Sequence, residues 1–490
     1  MTIRGNRNQR AILSSFVAMA LMFAVYILLL YPSLHNPPWE VFERWRQSDT
    51  YSVAAIYMTK GIHLFAPEFY YDGIGPNTVQ LELEILPSFA VLLAKNLSLD
   101  LVFSLRIISL TFFLLSAVYC LLIARLYMGS LPALVTTGIY LLAPLNAFAS
   151  RAIMPEALLV FFYLGAVYNF FLFYRNSKKI NLYISALMMA FAINCKPHAG
   201  FFGLVVIILY LKKYGLKALK SIHFYMYGII SLVPSALYYV YMGAHARHRF
   251  VSGLAGKHIF SEEILQIFSK SHWMHHYDVF KDYFGIYFLV LFFVGVFCVL
   301  LKKEHKSELI LWAATSFLQM IIICGIIQFI YYYILLIPVM ALFIGVFLDA
   351  IPNNKVKALI TLLIIGQAYF IFDANKSTYL VTDQKVDRIM STLQIHAGEK
   401  PVGVNTTDPS YINGLKRYGA RMGMDYYDFV PTDPEEELDY WMHRGIETFI
   451  LLKDGNKYPE FEKIYRSKLK PMYEDQEVEI YGKDDKKITH

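Results

Sequence analysis

A few short stretches of this 490-residue chain hold the residue types that acid–base or phosphate chemistry needs. Trp45-Arg46-Gln47-Ser48-Asp49-Thr50 sets a carboxylate beside an arginine and a tryptophan, which suits a base held next to a lipid headgroup. Asp49 and Thr50 could instead cap an interfacial helix over Tyr51–Met58. Gly73-Ile74-Gly75-Pro76 follows, then Leu81-Glu82-Leu83-Glu84; the two glutamates share a face in a strand but not in a helix, and either could be a solvated loop charge. Arg151 and Glu156 mark the join of two apolar runs, although Pro155 with Glu156 behind it is also an ordinary way to begin a helix. Lys196-Pro197-His198 puts one cation in a tight turn, where an anionic phosphate is a natural partner and snorkelling toward headgroups is the alternative. A basic loop supplies His245, Arg247, Arg249, His272, His275 and His276 without an HExxH or comparable ligand spacing, so contact with anionic lipid outweighs zinc and no metal set is read from it. Gln328 and Tyr331-Tyr332-Tyr333 suit either an aromatic belt or a headgroup clamp.

The elements that must carry these residues are apolar and long. The chain is 57% hydrophobic and 17% charged, against about 25% charged for a soluble domain, and its apolar residues come in runs rather than in short alternation. Runs of spanning character lie at 11–31, 105–126, 131–149, 155–174, 181–195, 198–211, 222–242, 284–301, 308–327, 329–349 and 356–373. The first follows Arg4, Arg7 and Arg10 and reads as a signal anchor, since Tyr31-Pro32-Ser33 resembles no cleavage site. Segment 85–97 is apolar but short and interrupted by Pro87 and Lys95, which suits an interfacial or re-entrant piece. The predicted fold is a polytopic α-helical membrane protein with about 11 transmembrane helices, within a range of 11–13.

Basic residues divide the connections. Arg125; Arg175 with Lys178 and Lys179; Lys212 through Lys220; Lys302, Lys303 and Lys306; and Lys355 with Lys357 all fall on the side of the N-terminus, which the positive-inside rule makes cytoplasmic. Loops 32–104 and 243–283 and everything after the last span are then extracytoplasmic. The expected division is a membrane domain over 1–374 and a small soluble α/β domain over 375–490, with strands at Val402–Val404 and Thr448–Leu452 and a helix at Glu435–Arg444. No phosphate-binding glycine loop, metal spacing or nucleophile elbow marks that tail, and a docking or lid module is its plainest use. Cys120, Cys195, Cys298 and Cys324 fall in apolar runs and read as small hydrophobes.

The net charge of +7 is dispersed between apolar runs, so it reports topology and excludes nucleic acid as a partner. The spans are nearly free of charge at their centres and show no internal repeat, unlike a transporter. Any chemistry is expected at the outer face.

In this order, Trp45 through Asp49, Gly75-Pro76 with Glu82 and Glu84, Arg106, Arg151-Ala152-Ile153-Met154-Pro155-Glu156, Lys196-Pro197 and Tyr332-Tyr333 before Pro338 resemble the bacterial GT-C membrane glycosyltransferases. The likeness is to the family-39-like group that includes protein O-mannosyltransferases and the lipid A aminoarabinose transferase. The resemblance covers about the first 340 residues and implies an inverting transferase of the cytoplasmic (inner) membrane, acting on its outer face. The donor would be a polyprenyl-phosphate-linked sugar, the acceptor a glycan, lipid or protein, and no cofactor would be required. By the same resemblance Asp49, Glu84 and Glu156 are the catalytic candidates, with Arg46, Glu82, Arg151, Lys196, Arg247, Arg249, Tyr332 and Tyr333 binding substrate. Asp49 would take the acceptor's proton, while Lys196 with Arg247 or Arg249 would neutralise the leaving phosphate. Relatives often carry two adjacent acidic residues where Ser48 and Thr50 flank Asp49 here, and a histidine near the tyrosines where this chain has Gln328 or Tyr331. A polymerase or ligase of surface-glycan assembly is the alternative reading, with a transporter behind it.

Overall fold

The computed structural model describes residues 17–301, 306–424, 429–455 and 457–483. Arg4, Arg7 and Arg10, the start of the expected span 11–31, and Lys302 and Lys303 lie outside the described residues. The chain forms two compact units that do not follow each other in sequence. One takes the described residues of Met1–Leu34, Arg106–Val240 and Val251–Leu380; the other takes His35–Leu105, Tyr241–Phe250 and the described part of Val381–His490. The expected boundary at 374/375 runs along the chain, whereas the second unit also gathers the first outer loop and a piece of the loop before Tyr283.

The first unit is helical. Among the described residues, seven helices are long and apolar enough to cross a membrane, and eight if the bent pair Lys270–Phe284 and Ile286–Leu301 is one span. Ser130–Leu142 and Lys179–Cys195 are apolar but shorter. Glu156–Asn176 is 72% buried along its apolar window and Asn354–Thr378 only 22%, so the former is an inner helix of the unit and the latter leaves most of its apolar surface uncovered. The helical content is as read from the sequence, but the eleven expected runs are not eleven unbroken long helices, and the reasons are local. The run 131–149 is cut at Ala143, whose extended backbone precedes Pro144; that proline offers no amide hydrogen and restarts the chain as Pro144–Ala149. The bend of 101° between Lys270–Phe284 and Ile286–Leu301 falls at Gly285, which has a positive φ of 80°.

Close helix packing fixes this unit. Ile286–Leu301 lies against Ile337–Ala350, and a Cβ on Gly295 would overlap the Phe343 carbonyl. Gly295→Ala is therefore expected to destabilise the detergent-purified protein by about 1–3 kcal/mol, the usual cost of overpacking, read as a lower melting temperature.

The second unit is built on a five-stranded sheet. Its strands are β3 (Val402–Val404), β4 (Gly419–Arg421), β5 (Thr448–Leu452), β6 (Lys470–Glu474) and β7 (Val478–Gly482), in the order β4-β3-β5-β7-β6. Strand β3 runs parallel to β4 and to the central β5, while β7 is antiparallel to β5 and β6. Helices Pro434–His443 and Tyr458–Lys468 bury Leu438, Trp441, Phe461 and Tyr465 with Phe449 and Leu451 of the sheet. Asp433 caps the first of these helices, with Pro434 at its start and three glutamates in its first turn.

The outer loop is part of the same unit. Two-residue strands β1 (Val79–Gln80) and β2 (His248–Arg249) pair in parallel, and single bridges join Glu40 to Thr382 and Gly73 to Gly419. Gly73 has a φ of 90°, and a Cβ there would come within 2.6 Å of the Trp441 ring, so only glycine lets the loop run this close to the sheet's helix. The helix Arg44–Lys60 is buried from Arg46 through Tyr57 despite its polar sequence, and the buried polar groups must therefore find partners inside the fold. Ile85–Leu97 is a 13-residue helix, the length read from the sequence.

Candidate active site

Asp49 sits in the middle of the helix Arg44–Lys60, not at its start. Capping is thereby removed as its role, because the helix begins five residues earlier and brings Asp49 to the buried face. Its Oδ1 accepts a hydrogen bond of 3.0 Å from Asn413 Nδ2. The residue also lines a solvent-open cavity within the second unit, beside Glu43, Arg44, Trp45 and Tyr71 from the loop. The opposite wall is Thr407, Asp408, Pro409 and Arg421 from the C-terminal sheet.

Burial dominates the electrostatics of Asp49. It pushes the carboxyl up to about 7, against the pull of Arg46 and Arg421 and with help from Asp408 and Asp72. Arg46 gives the strongest opposing pull, but it does not overcome burial; its Nη2 also donates to Glu82 Oε2 at 2.7 Å and its Nη1 to Thr50 Oγ1 at 3.0 Å. Arg421 is likewise committed, with Nη2 3.3 Å from Asp72 Oδ1 and its guanidinium 4.0 Å over the Tyr71 ring. Asp72 also meets His248 Nε2 at 3.0 Å; burial lowers the imidazole pKa, against the upward pull of Asp72. Arg44 bridges Asp408 at 2.5 Å and Asp383 at 2.8 Å. A carboxyl half ionised near neutrality, among cations already paired, has the properties of a general base.

A second cluster belongs to the first unit. Glu156 opens the helix Glu156–Asn176 and is buried, and Lys196 Nζ lies 3.4 Å from its Oε1. The ammonium is also 5.1 Å above the Tyr331 ring and 5.2 Å above Tyr332. Lys196 does not snorkel toward headgroups: it is 2% exposed, because the turn that carries it folds inward onto these groups. Arg106 Nη1 donates to the Arg151 carbonyl at 3.1 Å, and Arg151 itself is fully buried. Histidines from elsewhere in the chain do reach the tyrosines: His276 Nδ1 is 2.6 Å from Tyr333 Oη, and His198 lies against the Tyr332 ring.

Of the residues singled out in sequence, the second unit thus brings Asp49, Arg46 and Glu82 together. Glu82 and Glu84 lie in neither a common strand nor a common helix: Glu82 pairs with Arg46, and Glu84 is buried just ahead of Ile85–Leu97, outside the cavity lining. Arg247 donates to Asn77 Oδ1 at 3.0 Å and lies over Phe429, while Arg249 is exposed on β2. The first unit brings together Glu156, Lys196 and Tyr332, with Tyr333 one residue on. Among the described residues no group of three or more His, Cys, Asp or Glu is placed to hold a metal ion. Sequence reasoning missed Asp72, Asp408, Asn413 and Arg421. Three of these stand more than 350 residues beyond Asp49 with no motif around them; Asp72, with a φ of 75° next to Gly73, carried the one local signal, a tight turn.

Residues 85–239 match the sequence pattern of the dolichyl-phosphate-mannose-protein mannosyltransferase family. No curated protein sequence gives a match. Among solved structures, ArnT from Cupriavidus metallidurans in the apo state is similar at a TM-score of 0.66 and 13% identity, over 94% of this chain and 97% of that one. The same protein bound to undecaprenyl phosphate gives 0.66 and 12%, over 95% and 98%. The oligosaccharyltransferase of Archaeoglobus fulgidus in the apo form gives 0.58 and 12%, over 96% of this chain and 74% of that one. At these identities the likeness is one of fold. The chain is a multi-pass membrane protein of the GT-C fold class, similar in sequence over residues 85–239 to the protein mannosyltransferases and in fold along nearly its whole length to ArnT.

Proposed function

We propose that this chain is an inverting glycosyltransferase that moves a sugar from a polyprenyl-phosphate carrier to an acceptor on the outer face of the bacterial cytoplasmic membrane. The observation that carries the reading is Asp49, a buried carboxyl pushed up to about 7 on the wall of an open cavity, in a chain with the GT-C fold. In a single displacement the acceptor hydroxyl gives its proton to Asp49 as its oxygen attacks the anomeric carbon. The bond from that carbon to the carrier phosphate breaks, and the phosphate leaves with the electron pair. Lys196, Arg247 and Arg249 are the cations assigned to the leaving phosphate, so no cofactor is invoked. Arg46 and Glu82 position the helix that carries Asp49, and Arg151 and Glu156 shape the site in the first unit, with Tyr332 and Tyr333 beside them. Glu84, away from the cavity, is given no step.

Topology supports the outward orientation. The segments that the lysine and arginine distribution puts outside include His35–Leu105, Tyr241–Phe250 and the tail from Val381, and these are the pieces that fold into one unit. We assign the N-terminus to the cytoplasm and the tail to the extracytoplasmic side, a reading supported by the lysine and arginine distribution.

The test is reconstitution of the purified protein with a polyprenyl-phosphate hexose and a detergent extract of envelope glycans, following release of polyprenyl phosphate and label transfer. A donor that stays intact under these conditions would overturn the reading. Because Asp49 acts only when ionised, kcat/KM is expected to rise about tenfold per pH unit below 7 and to level off above it. An ordinary surface aspartate in that role would give a flat profile from pH 5 upward.

A further inference from the structure

The cavity beside Asp49 has a second wall whose origin limits what it can hold. In the C-terminal sheet β3 is flanked by parallel neighbours on both sides, and the crevice beyond the carboxyl ends of such strands is where α/β sheets bind ligands. Here that edge is spent on the cavity: Thr407, Asp408 and Pro409 follow the end of β3, and Arg421 ends β4. The lining is rich in carboxyl groups, with Glu43, Asp49 and Asp408 against Arg44 and Arg421. Both arginines already bridge carboxylates, Arg44 to Asp383 and Asp408 and Arg421 to Asp72. The three carboxyl groups of the lining outnumber its two arginines, so removing a further negative group from water beside them would be unfavourable. Trp45, Tyr71 and Phe250 line the same cavity, so aromatic and polar side chains share its wall, a mix that suits a pyranose with its hydroxyl rim and hydrocarbon faces.

We infer that this cavity is a subsite for an uncharged, polyhydroxylated sugar ring of the acceptor, and that the carboxyl edge of the C-terminal sheet selects it. The inference rests on the transferase reading for the word acceptor and on the geometry alone for the ligand class. Thr407, exposed at the end of β3, is the residue through which selection is most directly altered. An anionic sugar or a peptide in the same place would lack either the counter-charge or the match to the ring faces.

Saturation-transfer NMR on the detergent-purified full chain tests this at pH 8, where Asp49 is ionised. Methyl glucopyranoside should show saturable binding, and methyl glucuronide, the same ring with one carboxylate, should bind at least tenfold more weakly. Thr407→Trp, which fills the cavity mouth, should weaken glucoside binding at least tenfold at an unchanged melting temperature, and Thr407→Ser should keep it within about threefold. Equal or tighter glucuronide binding would overturn the proposal, as would undiminished binding by folded Thr407→Trp or a serine tripeptide that outcompetes the glucoside. The two-sugar comparison uses wild-type protein and decides the matter even if Thr407→Trp fails to fold. A wild-type protein that cleaves no polyprenyl-phosphate hexose would fail the transferase reading while leaving these binding results intact.

Discussion

Asp49→Asn is expected to lower sugar transfer by about 10²- to 10⁴-fold, the usual contribution of a positioned general base, in protein that folds as well as wild type. Asparagine keeps an oxygen that can accept the Asn413 hydrogen bond and loses only the ability to take a proton. The sign of the stability change is fixed by the direction of the pKa shift. Burial raises the carboxyl from about 4 in the unfolded chain to about 7 in the fold. The cost of keeping it ionised therefore grows as pH climbs between those values and is constant above them. The neutral amide has no such cost, so the variant should melt no lower than wild type at pH 8. Transfer rates in proteoliposomes and melting curves at pH 5 and 8 check both halves. Undiminished turnover would remove Asp49 from the mechanism.

The second large effect is expected at the buried ion pair of the first unit. Glu156→Ala leaves the Lys196 ammonium buried over Tyr331 and Tyr332 without its carboxylate. Breaking such a pair from one side costs about 3–5 kcal/mol, so the variant should accumulate poorly and melt well below wild type. The double change Glu156→Gln with Lys196→Met removes both charges, and replacement of a buried pair by neutral groups is often close to neutral in stability. Its stability should return while transfer stays low, because the cation assigned to the leaving phosphate is gone. Full recovery of both would make Lys196 a structural residue only. Melting temperature in detergent and transfer in proteoliposomes separate the two outcomes.

What could be read from the sequence follows from the range of the forces involved. The helix at Ile85–Leu97, the strands β3 and β5 and the helix at Pro434–His443 have local causes: apolar run length, β-branched clusters, and a proline behind a capping aspartate. Hydropathy found the apolar runs, but not that Pro144 would divide one of them or that Gly285 would turn another through 101°. In the candidate site, Asp49 was visible as a carboxylate among unusual neighbours, whereas its surroundings were not. Whether it capped a helix or faced a cavity depended on where the helix began, and that start at Arg44 is held by ion pairs to Asp383 and Asp408 far along the chain. Lys196 is the same lesson in another place: its partner Glu156 is two helices back along the chain, so a local reading offered it only phosphate or solvent.

The bridges that join Glu40 to Thr382 and Gly73 to Gly419 bear on the order in which the protein is made. A ribosome delivers Asp49 early and Asn413 and Arg421 late, after every helix long enough to span among the described residues has been synthesised. The loop must wait for these partners through the insertion of those helices, and a premature stop codon between positions 380 and 407 would yield a chain that keeps its long apolar helices but leaves Asp49 without Asp408, Asn413 and Arg421.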